Sequence, residues 1–148
     1  MFFVFVVWTA CMSGCSNSKE QEATDLSALV DIQYEIGPEI STQEILTVWL
    51  VNQSSSCISF PLDYGIKVFA ETGEGWTEVP NVIEYKGTGP NLLKPKGDIF
   101  SQRSIVVKPD LSSLTLAAPT RFYVEIQGHE CADDSYIVKK EIPFTVVP

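Results

Sequence analysis

The sequence is short of positive charge, nearly without histidine, and lacks any long apolar run. Ten Lys and Arg stand against 19 Asp and Glu, a formal net charge of −9. A surface of that sign repels phosphate backbones and anionic headgroups. That argues against nucleic acid as a partner and against electrostatic attraction as a means of membrane attachment. The signatures of common chemistries are missing as well. There is no Gly-x-Ser-x-Gly nucleophile elbow, no phosphate-cradling glycine loop and no EF-hand calcium loop. No stretch carries apolar residues at the three- and four-residue spacing of an amphipathic helix. The longest apolar run, Phe2 to Ala10, has nine residues broken only by Thr9, whereas a spanning helix needs roughly 20. The expectation is a non-enzymatic protein with no cofactor and no transmembrane helix.

What is present begins with that short run. FFVFVVWTA has the length of the hydrophobic region of a signal peptide, and the small residues Ser13 and Gly14 stand directly before Cys15. Met12-Ser13-Gly14-Cys15 resembles the lipobox of bacterial lipoproteins, in which an aliphatic residue and two small residues precede a cysteine. Met12 stands where Leu is commonest. Cys11 fits less well, because Trp8 would take the aliphatic position. Residues 1–14 contain no Lys or Arg, so either the amino terminus supplies the only charge of the leader or translation starts upstream. The resemblance implies that residues 1–14 are a signal peptide, that Cys15 carries acyl lipid such as palmitate, and that the rest is displayed outside the cytoplasmic membrane in a bacterial cell envelope. Ser16 to Ser27 (SNSKEQEATDLS) is polar and without period. Residues 15–27 therefore read as a flexible tether, and 28–148 as one folded domain.

If Cys11 is removed and Cys15 is acylated, Cys57 and Cys131 remain of the four cysteines. In an exported domain an even number favours pairing, so a Cys57–Cys131 disulfide is expected, with two separate buried thiols as the alternative. A domain of this length buries roughly two-thirds of its unfolded surface, so it needs no metal merely to fold.

From Leu29 onward the period is two. Val30, Ile32, Tyr34 and Ile36 share one face, and Gly37-Pro38 ends the run. Ile45 to Asn52 is apolar on both faces and reads as a central strand, covered at least partly on its second face. Ile66 to Ala70 and Trp76 to Val79, joined by Glu71 to Gly75, read as a hairpin. Val82 to Tyr85 reads as a short edge strand, Leu93 to Gly97 as a turn, and Phe100 to Val107 as a strand. Asp110 to Pro119 is a connection. Arg121 to Gln127 directs Phe122, Val124 and Ile126 inward, and Tyr136 to Val147 does the same with Ile142, Phe144 and Val146. Pro143 must then sit at an edge or bulge, because it cannot donate to a ladder. Seven or eight short strands with regular turn signals predict an all-β, antiparallel sandwich.

The layout from Glu44 to Val147 resembles the bacterial immunoglobulin-like domains of exported lipoproteins. The residues that carry the resemblance are the strand ending at Asn52, Gly75-Trp76 with Val79-Pro80, the Leu93 to Gly97 turn, Pro119 to Val124, and Phe144-Thr145-Val146. Thr120 and Phe122 depart from the glycine and tyrosine usual in such domains. The layout is also similar to the BsuPI-type proteinase inhibitors. The first resemblance implies a binding or accessory module for a cell-surface protein or peptide. The second implies an inhibitor of an extracytoplasmic protease, acting through Asn52 to Pro61 or Gly87 to Gly97.

Candidate sites are few. His129 lies in Gly128-His129-Glu130-Cys131-Ala132-Asp133-Asp134 and with Cys57 could contribute to a His/Cys/carboxylate metal site, but His-x-Cys matches no standard zinc spacing. A polar loop is the favoured reading, and no metal is expected. Glu71, Glu74, Glu78 and Glu84 read as a solvated acidic face. Trp76 and Tyr64 could form an aromatic ligand platform, although aromatics beside loops more often cap a core.

Overall fold

The computed structural model describes residues 24–148. Residues 1–23, and with them Cys15, where lipid is expected, and most of the expected tether, lie outside the described residues. The order is β1 (Thr24–Asp25), a 3₁₀ turn (Ser27–Leu29), β2 (Val30–Tyr34), β3 (Glu39–Ser41), β4 (Leu46–Asn52), β5 (Ile58–Phe60) and β6 (Lys67–Thr72). There follow β7 (Gly75–Val79), β8 (Asn91–Leu93), β9 (Gln102–Val107), β10 (Thr120–Glu130) and β11 (Tyr136–Val147). Among the described residues there is no α-helix. The fold is an all-β sandwich of mostly antiparallel strands, one sheet of eight and one of three.

The strand count exceeds the seven or eight expected because β1, β3, β5 and β8 span only two or three residues, too few to show alternation in a sequence. Their positions follow from β10 and β11, which pair antiparallel along almost their whole length. On its other side β10 pairs with β6 through Phe122–Glu125 and with β5 through His129–Glu130. Likewise β11 takes β1 in parallel at Tyr136–Ile137 and β3 in parallel at Thr145–Val147. Thr24 and Asp25 thus belong to the sheet, which takes in residues ahead of the expected boundary at 28.

Alternation decides what is buried. Phe122, Val124 and Ile126 of β10 and Val138, Ile142, Phe144 and Val146 of β11 meet Leu46, Val48 and Leu50 of β4 and Ile105 and Val107 of β9 in one core. Burying each such side chain contributes roughly 1.5–3 kcal/mol. β4 is the centre of the small sheet, between β2 and β9, as its apolar character implies. Its second face is partly covered among the described residues: Thr47 and Val51 are half-buried and Trp49 is 36% exposed. Pro143 faces Tyr123 of β10. Thr145 N–H donates to Pro38 and Lys139 N–H to Ser27 Oγ, so amides of this parity point away from β10. The N–H that Pro143 lacks therefore removes no bond between the two long strands.

Four further expectations are corrected. β2 ends at Tyr34, and Ile36, beyond it beside Gly37-Pro38, is 90% exposed. The hairpin loop is two residues rather than five, because Thr72 pairs with Gly75 at φ +113°, a conformation suited to glycine. The strand expected from Phe100 starts at Gln102, because Pro95 to Ser101 is taken up by two turns. Val82 to Tyr85 is no strand. Asn81 Oδ1 accepts from Lys108 N–H and Ile83 N–H, and the Tyr85 hydroxyl binds the backbone of Val106, so side chains cap this edge of β9 in place of a strand.

Candidate functional site

The outer face of the large sheet carries an unusual row of side chains. Register sets Glu78 of β7 opposite Phe69 of β6, Phe69 opposite Tyr123 of β10, and Tyr123 opposite Pro143 of β11. The Phe69 and Tyr123 rings stack at 4.7 Å. Trp76, one step along β7, meets Tyr123 edge-on at 4.8 Å and remains 48% exposed. Such pairs contribute about 0.5–1.5 kcal/mol beyond their burial. Large contiguous apolar surface is seldom left exposed outside interaction sites.

Trp76, Tyr123 and Pro143 of this row line a shallow groove of about 720 Å³, together with Tyr34, Glu39, Arg121 and Glu141, among others. Tyr34 comes from the small sheet, and its hydroxyl donates to the Pro143 carbonyl on β11, joining the two layers at the groove's end. Burial holds the Tyr34 hydroxyl above its ordinary range. The Tyr123 hydroxyl is also held above its usual range, chiefly by desolvation and then by the charges of Glu141 and Glu125. The two nearby cations are engaged. Arg121 makes a bidentate pair with Glu71, which raises its pKa further, and Lys139 contacts Glu125 at 2.9 Å.

Of the two aromatic residues singled out in the sequence, Trp76 lies in this groove and Tyr64 does not. Tyr64 is 4% exposed, turned inward at φ +58° between β5 and β6, with Phe60 and Tyr85 against its ring. Glu71 and Glu78 flank the row, Glu74 sits in the hairpin loop, and Glu84 belongs to the Tyr85 segment. Phe69, Tyr123 and Pro143 escape a reading that seeks the core. The signal was nevertheless present, since all three fall on the outward parity of their strands, where polar residues are the rule.

His129, expected in a polar loop, lies instead near the end of β10, paired with Ile137 and Ser59, and the loop begins only at Cys131. Cys57 and Cys131 form a disulfide with Cα atoms 5.4 Å apart, and Cys131 N–H donates to the Cys57 carbonyl. Both sulfurs are thereby withdrawn from metal ligation. His129 Nδ1 lies 2.8 Å from the Glu130 carbonyl and 3.0 Å from Asp134 Oδ1. No group of three metal-ligating side chains converges among the described residues.

The two expected inhibitory loops differ. Asn52 to Pro61 is held largely inside, with only Ser55 and Pro61 exposed: Asn52 is 1% exposed, its amide donates to the carbonyls of Ser56, Leu93 and Lys94, and its carbonyl oxygen accepts from Ser54 N–H and Oγ. Ile58 and Phe60 are core. In Gly87 to Gly97, Gly87 to Pro90 is exposed, whereas Asn91 to Leu93 forms β8. Compared with known protein families the chain matches none, and no curated protein matches it.

Proposed function

We propose that this chain is a membrane-anchored extracytoplasmic lipoprotein whose immunoglobulin-like sandwich works as a non-catalytic binding module. The observation that carries the binding role is the exposed row of Trp76, Phe69, Tyr123 and Pro143 on the outer face of the large sheet. Anchoring rests on Met12-Ser13-Gly14-Cys15 and accords with a disulfide between Cys57 and Cys131, which suits an oxidising exterior. Eight residues separate Cys15 from Thr24, and the fully extended chain between the two reaches at most roughly 32 Å. The domain would therefore stand close to its membrane.

Intact mass of the protein extracted from its native membrane, with and without reduction, tests this reading. The expected species begins at Cys15, carries lipid and gains two hydrogens on reduction. A full-length, unlipidated chain with free thiols would overturn the anchor and the compartment together.

A second reading, inhibition of an extracytoplasmic protease, is favoured by one feature. Lys86 to Pro90 is exposed and tethered at both ends, by the Tyr85 hydroxyl on Val106 and by the Asn91 amide on the carbonyls of Pro61 and Leu62. Stoichiometric inhibition in a protease panel, lost on cleavage within Lys86 to Pro90, would support it. Activity unchanged across the panel would remove it.

A further inference from the structure

We propose that the groove on the outer face of the large sheet docks an extended basic peptide, a Lys- or Arg-bearing segment of a partner protein. This deepens the binding-module reading and rests on it. Charge sets the sign of the ligand. Glu39 and Glu141 stand in the groove wall and form no salt bridge among the described residues, Arg121 is held by Glu71, and Lys139 is held by Glu125. The negative field reaches the Tyr123 hydroxyl through Glu141 and Glu125. The whole chain, at −9, has the same sign. An anionic ligand meets repulsion here, whereas a cation gains from both the carboxylates and the rings.

The aromatic side chains determine how a cation is held. Trp76, Tyr123 and Tyr34 line one groove, and a guanidinium or ammonium over such a ring face is attracted by the ring quadrupole. Arg121, which also lines the groove, is neutralised by its own carboxylate partner Glu71 and leaves Glu39 and Glu141 to set the local sign. Pro143 adds a flat apolar surface suited to the aliphatic stem of Lys or Arg, which buries readily while the head stays wet.

Length separates a peptide from a small organic cation. The groove runs from Trp76, whose ring lies 4.8 Å from that of Tyr123 on β10, over β11 to Glu39 on β3. Two strand spacings and the ring separation amount to roughly 14 Å, which about four extended residues would span. A small cation would fill only a fraction of it and leave most of the row exposed.

The test titrates the full-length protein, extracted in detergent, with a ten-residue peptide of alternating arginine and proline, with its glutamate counterpart, and with tetramethylammonium chloride. The arginine peptide should bind saturably, with affinity falling as salt rises, and the glutamate peptide should not bind. Trp76→Ala should weaken binding about tenfold. Glu39→Gln with Glu141→Gln should weaken it several-fold and flatten its salt dependence. Trp76→Phe should keep most of the affinity, and thermal melts of every variant confirm folding. Equal binding of both peptides, or wild-type affinity in a folded Trp76→Ala protein, would overturn the proposal. So would full displacement of the arginine peptide by millimolar tetramethylammonium, which would assign the groove to a small cation. The mass of the same preparation distinguishes the two levels. Lipid on Cys15 without peptide binding removes the peptide alone, and absence of lipid removes the anchor.

Discussion

The Tyr85 hydroxyl accepts from the Val106 N–H at 3.0 Å and donates to the Val106 carbonyl at 2.6 Å. One side chain thus performs at the edge of β9 what a neighbouring strand would do with two backbone groups. Edge strands left open are templates for unwanted pairing, and this one is closed by a phenol. Tyr34 makes a comparable contact on the other side of the sandwich, through the Pro143 carbonyl.

Replacing Tyr85 by Phe should leave both Val106 groups without their partner and cost about 1–3 kcal/mol. The wild type should also lose stability in alkali. Burial is the first cause that pushes the Tyr85 hydroxyl up to about 12 from its ordinary 10.0, and the Val106 bond only partly opposes it. Because the folded value is the higher, the stabilising contribution is complete below pH 10.0 and is lost as pH rises through about 12. Urea melts between pH 8 and 12 check this. Tyr34 and Tyr64 are raised as well, so Tyr85→Phe should reduce the alkaline loss without abolishing it. An unchanged slope in the variant would refute the assignment to Tyr85.

The Cys57–Cys131 bridge spans a separation of 74 residues. In the chain-entropy account a loop of that size stabilises the fold by about 4 kcal/mol. Urea denaturation of the oxidised protein and of Cys57→Ser/Cys131→Ser should differ by that order. The variant should still fold, since the core of β4, β9, β10 and β11 contains neither cysteine. Equal urea midpoints would show that the bridge does not constrain the unfolded chain.

Asn52 closes β4 with a side chain that satisfies three carbonyls and two donors in the turn region between β4, β5 and β8. Asn52→Ala should cost at least about 2 kcal/mol, because buried polar groups then lack partners. Gln53→Ala is the control. Its amide reaches only Asp31 at an exposed position, and its melting temperature should stay near wild type. Equal melting temperatures for the two variants would contradict the buried network.

These residues mark where sequence reasoning succeeded and where it stopped. Alternation placed Phe122, Val124, Ile126, Ile142, Phe144 and Val146 in the core, because a period of two survives whatever lies opposite. Asn52 to Ser56 read only as a polar turn, since nothing local tells that its amide meets the carbonyls of Leu93 and Lys94 some forty residues on. Val82 to Tyr85 has strand-forming residues, yet the Tyr85 hydroxyl took over the edge. Trp76 was visible because it stands beside a glycine turn. Its partners Phe69, Tyr123 and Pro143 come together only through the register of four strands, which the pattern of one strand does not contain.

Gly128 offers the sharpest test of how closely the strands meet. It lies in β10 opposite Val138, and a Cβ built there would sit 2.7 Å from the Ser59 carbonyl oxygen and 2.7 Å from Phe60 Cδ1. One of these is backbone and the other is a core ring 1% exposed, so neither yields cheaply. Gly128→Ala should therefore destabilise by about 1–3 kcal/mol through overpacking. Gly73 in the β6–β7 loop provides the comparison, because a Cβ there meets nothing within 4 Å, and Gly73→Ala should leave the melting temperature nearly unchanged. Phe60→Leu made together with Gly128→Ala should recover part of the loss, since removing the ring relieves one of the two contacts while the Ser59 carbonyl remains. Additive losses in the double variant would mean that the ring is not what Gly128 accommodates.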